Sequence, residues 1–127
     1  MSRLYLKSRS LIAPKVCGIA AHATSAVVDL SDFPEGDLVL EMHAAKATAE
    51  SDHSLTAVWM EGDAAGGPFA DSGLVFREVG EAEDILDSIP LDRSVRKQFG
   101  YFVGTPAGEA PEIALSVALT AYQQLAS

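Results

Sequence analysis

The sequence has few of the residues that mark disulfide scaffolds, zinc sites and membrane spans. Cys17 is the single cysteine among 127 residues, so an internal disulfide bond is impossible and the cysteine spacings of structural zinc sites are absent. No apolar run reaches the roughly 18 residues that a membrane-spanning helix needs. Pro14 and Lys15 interrupt the stretch that could resemble a secretion signal. We therefore expect no membrane partner.

Basic residues are scarce in the middle of the chain. Residues 29–92 contain 16 acidic and two basic residues, whereas residues 1–28 contain four basic residues and no acidic one. The net charge of −9 repels nucleic-acid phosphates, so we expect no direct nucleic-acid partner. Residues 1–24 are predicted to form a basic, partly extended N-terminal arm, either simply solvated or docked on a partner by charge complementarity. Residues 25–127 are predicted to form a single domain.

Apolar residues alternate with other residues along most of the chain, as in strands with one buried face. The alternating segments are residues 4–6, 26–30, 38–43, 55–60, 74–77, 89–91, 98–103 and 113–121. Proline and glycine cluster between several of them, which is typical of turns. The pattern predicts an all-β fold, a jelly-roll-like antiparallel β-sandwich of seven or eight strands. Pro90 cannot donate to a strand ladder and predicts an edge strand.

Two segments fit this scheme less well. Residues 111–126 are rich in alanine and leucine, which favour helix, but their strict alternation predicts a strand. Residues 81–87 begin with acidic residues that could open a helix, so one short helix is predicted there.

Residues that carry catalysis or bind metals form no recognisable set. Cys17 and His22 are close in sequence, but the apolar neighbours of Cys17 favour a structural thiol over a nucleophile. The candidate metal ligands, which show no ligand spacing, are His22, Glu41, His43, Asp52 and His53. We therefore predict a protein that is not an enzyme and has no cofactor.

Basic and aromatic residues are the candidates for protein contacts. Three cations precede an aromatic strand in which Phe102 points away from Phe99 and Tyr101. Either this strand is buried on both sides or Phe102 belongs to an interface, and we adopt the second hypothesis because aromatics near arginine are enriched at protein contacts. The predicted contact residues are Arg3, Lys7, Arg9, Arg93, Arg96 and Phe102.

The order of the segments resembles that of a known family. The segments are Ser-Ala-Val-Val-Asp-Leu at 25–30, Asp-Leu-Val-Leu-Glu-Met at 37–42, Ser-Leu-Thr-Ala-Val-Trp at 54–59, Ser-Ile-Pro-Leu at 88–91, Arg-Lys-Gln-Phe-Gly-Tyr-Phe-Val-Gly at 96–104, and the alternating strand at 113–122. Together they resemble the small jelly-roll capsid cement, or decoration, proteins of tailed bacteriophages. The polar stretch 44–52 and the acidic stretch 80–87 depart from the family's pattern.

The resemblance implies a structural virion protein that is made in the host cytoplasm and binds the exterior of the assembled capsid. Its implied partners are the major capsid protein, whose neighbouring subunits it would clamp, and further copies of itself, commonly as a trimer. It implies no cofactor and no chemistry.

Two other functions compete with this expectation. A β-sandwich module that binds a glycan or another small ligand would need an exposed aromatic platform, for which Trp59, Tyr101 and Phe102 are the candidates. The alternation of Trp59 with Leu55 and Ala57 predicts that it is buried, which weakens this alternative. A cupin-like enzyme would need several histidines around a metal, and no paired histidine motif is present.

Overall fold

The computed structural model is built almost entirely of β-strands. It describes residues 3–17, 23–45, 54–80, 83–108 and 113–124. In these ranges the strands are β1 (Arg3–Cys17), β2 (Ala23–Thr24), β3 (Val28–Asp29), β4 (Asp37–Ala44), β5 (Ser54–Gly62), β6 (Ala70–Val75), β7 (Ile85–Leu91), β8 (Phe99–Ala107) and β9 (Ile113–Gln124). A 3-10 helix, Leu30–Asp32, follows β3. None of the described segments forms a helix long and apolar enough to cross a membrane.

The strands form two antiparallel sheets. The first sheet has the order β1-β9-β4-β7, and the second has the order β2-β8-β5-β6, with β3 also paired to β8. Between β2 and β3, the Ser25 N–H donates to the Phe102 carbonyl oxygen at 2.9 Å. β2 and β3 are therefore two parts of one interrupted strand, and counting them as one gives eight strands in the described part of the chain.

The pairing follows one long hairpin wrapped around a common core. β1 pairs with β9, β2 and β3 with β8, β4 with β7, and β5 with β6. Wrapping then brings β4 beside β9 and β5 beside β8. This is the jelly-roll arrangement, so the predicted all-β sandwich is confirmed. Pro90 lies in β7, an edge strand, as predicted.

The core lies between the inner faces of the two sheets. Trp59 of β5 stands opposite Phe102 of β8 in the strand register, and both side chains are 0% exposed. Phe76 packs edge-on against Phe102 with ring centroids 5.7 Å apart. The predicted burial of Trp59 is confirmed. The indole lies so close to Gly100 that a Cβ at that position would be 2.3 Å from Cζ2 of the ring.

The segment expected to be an N-terminal arm is instead part of the sandwich. Residues 3–17 form β1, which pairs with β9 along its length, so the domain does not begin at residue 25. Register shifts, as at β-bulges, move successive side chains from one face to the other and hide the alternation in the sequence. The shifts lie between Tyr5 and Lys7, between Ser10 and Ile12, and between Ile12 and Lys15.

The short helix expected over residues 81–87 is wrong for residues 85–87, which belong to β7. Ile85 stands opposite Ala44, and Asp87 stands opposite Met42. Pairing with β4 satisfies the backbone of these residues and outweighs the local preference of the acidic residues for a helix start. Residues 81 and 82 lie outside the described residues. The strand predicted within residues 111–126 is confirmed as β9.

The close contact between Trp59 and Gly100 predicts that no side chain is tolerated at position 100. We expect Gly100→Ala to destabilise the fold by about 1–3 kcal/mol, because overpacking displaces the indole. Urea unfolding followed by the fluorescence of Trp59, the single tryptophan, would measure this. Gly66→Ala is the matched control, since a Cβ there meets nothing within 4 Å. Equal stability of the two variants would contradict the packing described.

Candidate functional site

Three of the predicted contact residues meet at Phe33. Lys7 Nζ and Arg9 Cζ lie 5.1 and 5.3 Å from the centroid of the Phe33 ring. Lys7 Nζ also donates to the Asp32 carbonyl oxygen at 3.0 Å, and Arg9 lies 3.9 Å from the Asp32 carboxylate. Arg93 donates to the Phe33 carbonyl oxygen at 3.0 Å and to the carbonyl of the next residue. Lys7 and Arg9 therefore hold the segment around Phe33 against β1, and Arg93 holds it against the turn after β7.

Arg96, in the turn after β7, contacts both β5 and β6. Its guanidinium lies 3.4 Å from the Glu61 carboxylate and donates to the Ser72 carbonyl oxygen at 3.2 Å. The two side chains of the ion pair are only 16% and 12% exposed. The Lys97 N–H donates to the same carboxylate at 3.1 Å. Arg96 thereby fastens the turn after β7 to β5 and β6. The side chain of Arg3 lies outside the described part of the chain.

The assignment of Phe102 to an interface is wrong. Phe102 points away from Phe99 and Tyr101, as predicted, but the face that it occupies is the core. Its position opposite Trp59 explains this, because paired residues in adjacent strands lie on the same face of a sheet. Phe99 and Tyr101 consequently lie on the outer face.

The middle of the outer face of the second sheet is apolar. Val58 of β5 stands opposite Val103 of β8 on one side and Val75 of β6 on the other, and Met60 stands opposite Tyr101. Val75 is 58% exposed, and the other four side chains are partly exposed. We call these five residues, Val58, Met60, Val75, Tyr101 and Val103, the valine face.

Phe69 extends the valine face at the end where β5 turns into β6. Its ring packs edge-on against Tyr101, with centroids 5.0 Å apart and an interplanar angle of 83°. Gly62 provides the room, since a Cβ there would lie 3.0 Å from Cδ1 of Phe69. The ring of Phe69 is thus packed against both Tyr101 and Gly62.

The composition of the valine face is unusual for the solvated side of a sheet. Solvated faces of antiparallel sheets usually alternate to polar residues, yet β5 and β8 carry apolar residues on both faces. Asp71 of β6, opposite Met60, places one charge beside the valine face, and the exposed pair Thr56 and Thr105 lies at its other end. On a chain with a net charge of −9, an apolar cluster bounded by polar residues is typical of a contact surface. The apolar residues on both faces of β5 and β8 were the sequence signal that could have identified it.

Two edge strands are protected against pairing with another chain. In β7, Pro90 has no N–H, and the Ser88 N–H donates to the Asp87 carboxylate at 3.0 Å. In β6, the Gly73 N–H donates to the Asp71 carboxylate at 2.8 Å. Such edges do not extend their sheets readily. Binding by the faces of the sheets is therefore favoured over strand addition at these edges.

The candidate metal ligands are not gathered in one place by the described residues. His43 is exposed on the outer face of the first sheet, and the Glu41 carboxylate accepts the hydroxyl of Tyr122 at 3.2 Å. Among the residues that the structure describes, no three histidine, cysteine or acidic side chains could hold a metal ion. The other candidates, His22, Asp52 and His53, lie outside the described residues.

Cys17 is a buried thiol. Its Sγ donates to the Ile113 carbonyl oxygen at 3.2 Å. Burial raises the pKa of this thiol, which disfavours the thiolate that a nucleophile would require. His22, the base considered for it, is outside the described residues.

Two of the three residues predicted as candidates for the aromatic platform of a glycan module are buried. Trp59 and Phe102 are both 0% exposed, so neither ring can stack on a sugar. Tyr101 remains on the outer face, paired with Phe69. Apolar side chains surround this pair, whereas a glycan site also needs polar groups that fix the orientation of its ligand.

Comparison with known proteins yields no relative. No protein-family model, no curated protein and no solved structure matches this chain. A function must therefore be argued from the surfaces of the molecule and from the resemblance of its sequence segments.

The partly buried ion pair between Arg96 and Glu61 predicts that loss of Arg96 destabilises the fold more than loss of the adjacent Lys97. We expect Arg96→Met to lower the free energy of unfolding by about 1–3 kcal/mol, because it leaves the Glu61 carboxylate without its charged partner. Lys97→Met is the matched control and should change it by less than about 0.5 kcal/mol, since its partner Asp63 is 83% exposed. Urea denaturation at neutral pH measures both. Equal losses would show that burial does not distinguish the pairs.

Proposed function

We propose that this chain is a structural protein that binds other protein surfaces through the valine face and catalyses no reaction. The proposed partner is the major capsid protein of a tailed bacteriophage. In this role the chain would coat the exterior of the assembled shell and clamp neighbouring subunits. It would act without a cofactor, as a homo-oligomer that the resemblance suggests is a trimer.

The valine face is the observation that carries this proposal. Burying apolar surface contributes about 25 cal/mol per Å², so large side chains that are already ordered favour association. The cross-strand rows of Val103, Val58 and Val75 and of Tyr101 and Met60 are held by the sheet, and little side-chain entropy is lost on binding. A patch of apolar side chains from three neighbouring strands suits a protein surface better than a small ligand, whose site needs polar groups that fix its orientation.

The protection of β6 and β7 also supports a face-on mode of binding. Strand addition at an open edge has no natural limit, so protected edges suit a protein that binds a lattice through one face of a sheet. The many equivalent positions of a lattice would also convert a modest affinity into strong retention if the bound copies are linked to one another. The jelly-roll order of the strands agrees with the family that the sequence resembles.

Charged residues placed on the valine face should weaken binding. We expect Val75→Lys and Val75→Glu each to weaken binding by about tenfold or more, because either charge must lose its hydration at the contact. The assay is co-sedimentation of the purified protein with heads of its phage assembled without it. Val95→Lys is the matched control, since Val95 lies in the turn after β7 and is 63% exposed, against 58% for Val75.

Two results are expected from this experiment. The wild-type protein must pellet with the heads, and the two Val75 variants must remain in the supernatant while the Val95 variant pellets. Wild-type protein that stays in solution would refute the capsid partner. Val75 variants that pellet like the wild type would refute the valine face as the contact.

A further inference from the structure

Two carboxylates share the outer face of the second sheet with the valine face, one on each side of its aromatic end. Asp71 of β6 stands opposite Met60, which stands opposite Tyr101 on its other side. Asp29 of β3 stands opposite Phe99, which shares the outer face of β8 with Tyr101. β8 and β5 lie between β3 and β6, so three strand spacings, about 14 Å, separate the two strands that carry these acids.

Neutral donors fix the position of Asp29. Its carboxylate accepts the N–H and the hydroxyl of Ser31 at 2.9 and 2.7 Å, and the side-chain amide of Gln98 at 3.1 Å. The hydrogen bonds from Ser31, and then that from Gln98, hold the pKa of Asp29 below its ordinary value, so this carboxyl is ionised at neutral pH. None of these donors carries a positive charge that would compensate it.

The backbone of β6 fixes Asp71 in a similar way. The Asp71 carboxylate accepts the Gly73 N–H at 2.8 Å, and Gly73 has a φ of 83°, in the region that favours glycine. The Ser72 hydroxyl donates to the Trp59 carbonyl oxygen at 2.6 Å and so fastens the same segment to β5. Asp71 itself is exposed. Its negative charge is thus held at a defined place beside the valine face.

Neither carboxylate has a cationic partner in the described part of the chain. The ion pairs found there involve other acids, and none includes Asp29 or Asp71. Arg96 and Lys97, the cations of the turn before β8, are already paired with Glu61 and with the acid two residues after it. The valine face is therefore an apolar surface that is flanked on two sides by carboxylates whose charge is not neutralised by these cations.

We propose that the partner surface of the valine face is apolar at its centre and carries lysine or arginine side chains at its border, where they meet Asp29 and Asp71. This inference rests on the proposed function, whose partner it describes in chemical terms. A carboxylate that loses hydration at a contact needs an opposite charge across the interface. A cation that pairs with Asp29 also comes close to the neighbouring ring of Phe99, and aromatic faces attract cations.

Lysine and arginine suit both parts of such a contact. Their apolar stems pack on apolar side chains while their charged ends reach carboxylates. A partner surface with acidic residues at its border is disfavoured, because like charges across an interface repel, and the net charge of −9 adds to that repulsion.

Neutral variants of the two carboxylates test the proposal by co-sedimentation with phage heads. We expect Asp29→Asn and Asp71→Asn each to weaken binding about twofold to fivefold at low salt, the range that exposed ion pairs give. Wild-type binding should weaken as the Debye length falls from about 10 Å at 0.1 M salt to about 3 Å at 1 M, and binding of the double variant should depend less on salt. Asp92→Asn is the matched control, since the Asp92 carboxylate accepts the N–H and hydroxyl of Ser94 at the same 2.9 and 2.7 Å but follows β7 in the first sheet.

A second measurement requires no phage head. n-Hexylammonium carries a cation on an apolar chain, and n-hexanoate carries an anion on a similar chain. Each is titrated into the isotope-labelled protein while the backbone amide signals are followed by NMR. We expect n-hexylammonium to shift the signals of Met60 and Tyr101 at lower concentration than n-hexanoate does. Asp71→Asn should weaken the binding of n-hexylammonium there about twofold or more.

The results separate this inference from the capsid proposal. Heads that retain both Asn variants as well as the wild type, at either salt concentration, would overturn the inference and leave the capsid partner in place. Equal shifts with n-hexanoate, or n-hexylammonium shifts confined to the acidic stretch 83–92, would also overturn it. Wild-type protein that does not pellet but prefers n-hexylammonium at the valine face would refute only the capsid partner. Well-dispersed amide signals of each variant would show that the fold is retained.

Discussion

The contact between the indole of Trp59 and the backbone of Gly100 is the constraint on which the rest of this structure depends. It brings β5 and β8 together with Trp59 and Phe102 facing inward. Side chains alternate along a strand, so the residues directly before and after Trp59 and Phe102 must then point outward. The valine face is thus a direct consequence of how the core is filled. The core pair and four of the five residues of the valine face therefore come from the same two strands.

Four of the six predicted contact residues hold parts of the sandwich together. Arg93 and Arg96 fix the turn after β7 to the rest of the sandwich, and Lys7 and Arg9 cover Phe33. Long cationic side chains can do this because their apolar stems pack while their charged ends reach carbonyls and carboxylates. The sequence does not show this role, since the partners of these cations lie on other strands and turns.

Local pattern in the sequence was sufficient to determine the all-β class, most of the strands, the burial of Trp59 and the edge position of Pro90. These properties follow from alternation and from the chemistry of single residues, which act over a few positions along the chain. The tertiary structure alone decided that residues 3–17 form a strand, since the register shifts against β9 hide its alternation. It also decided that β7 replaces a helix at residues 85–87, and that Phe102, and not Tyr101, faces the core. Each of these outcomes depends on a partner strand distant in sequence, and the pairing of distant strands cannot be read from local pattern.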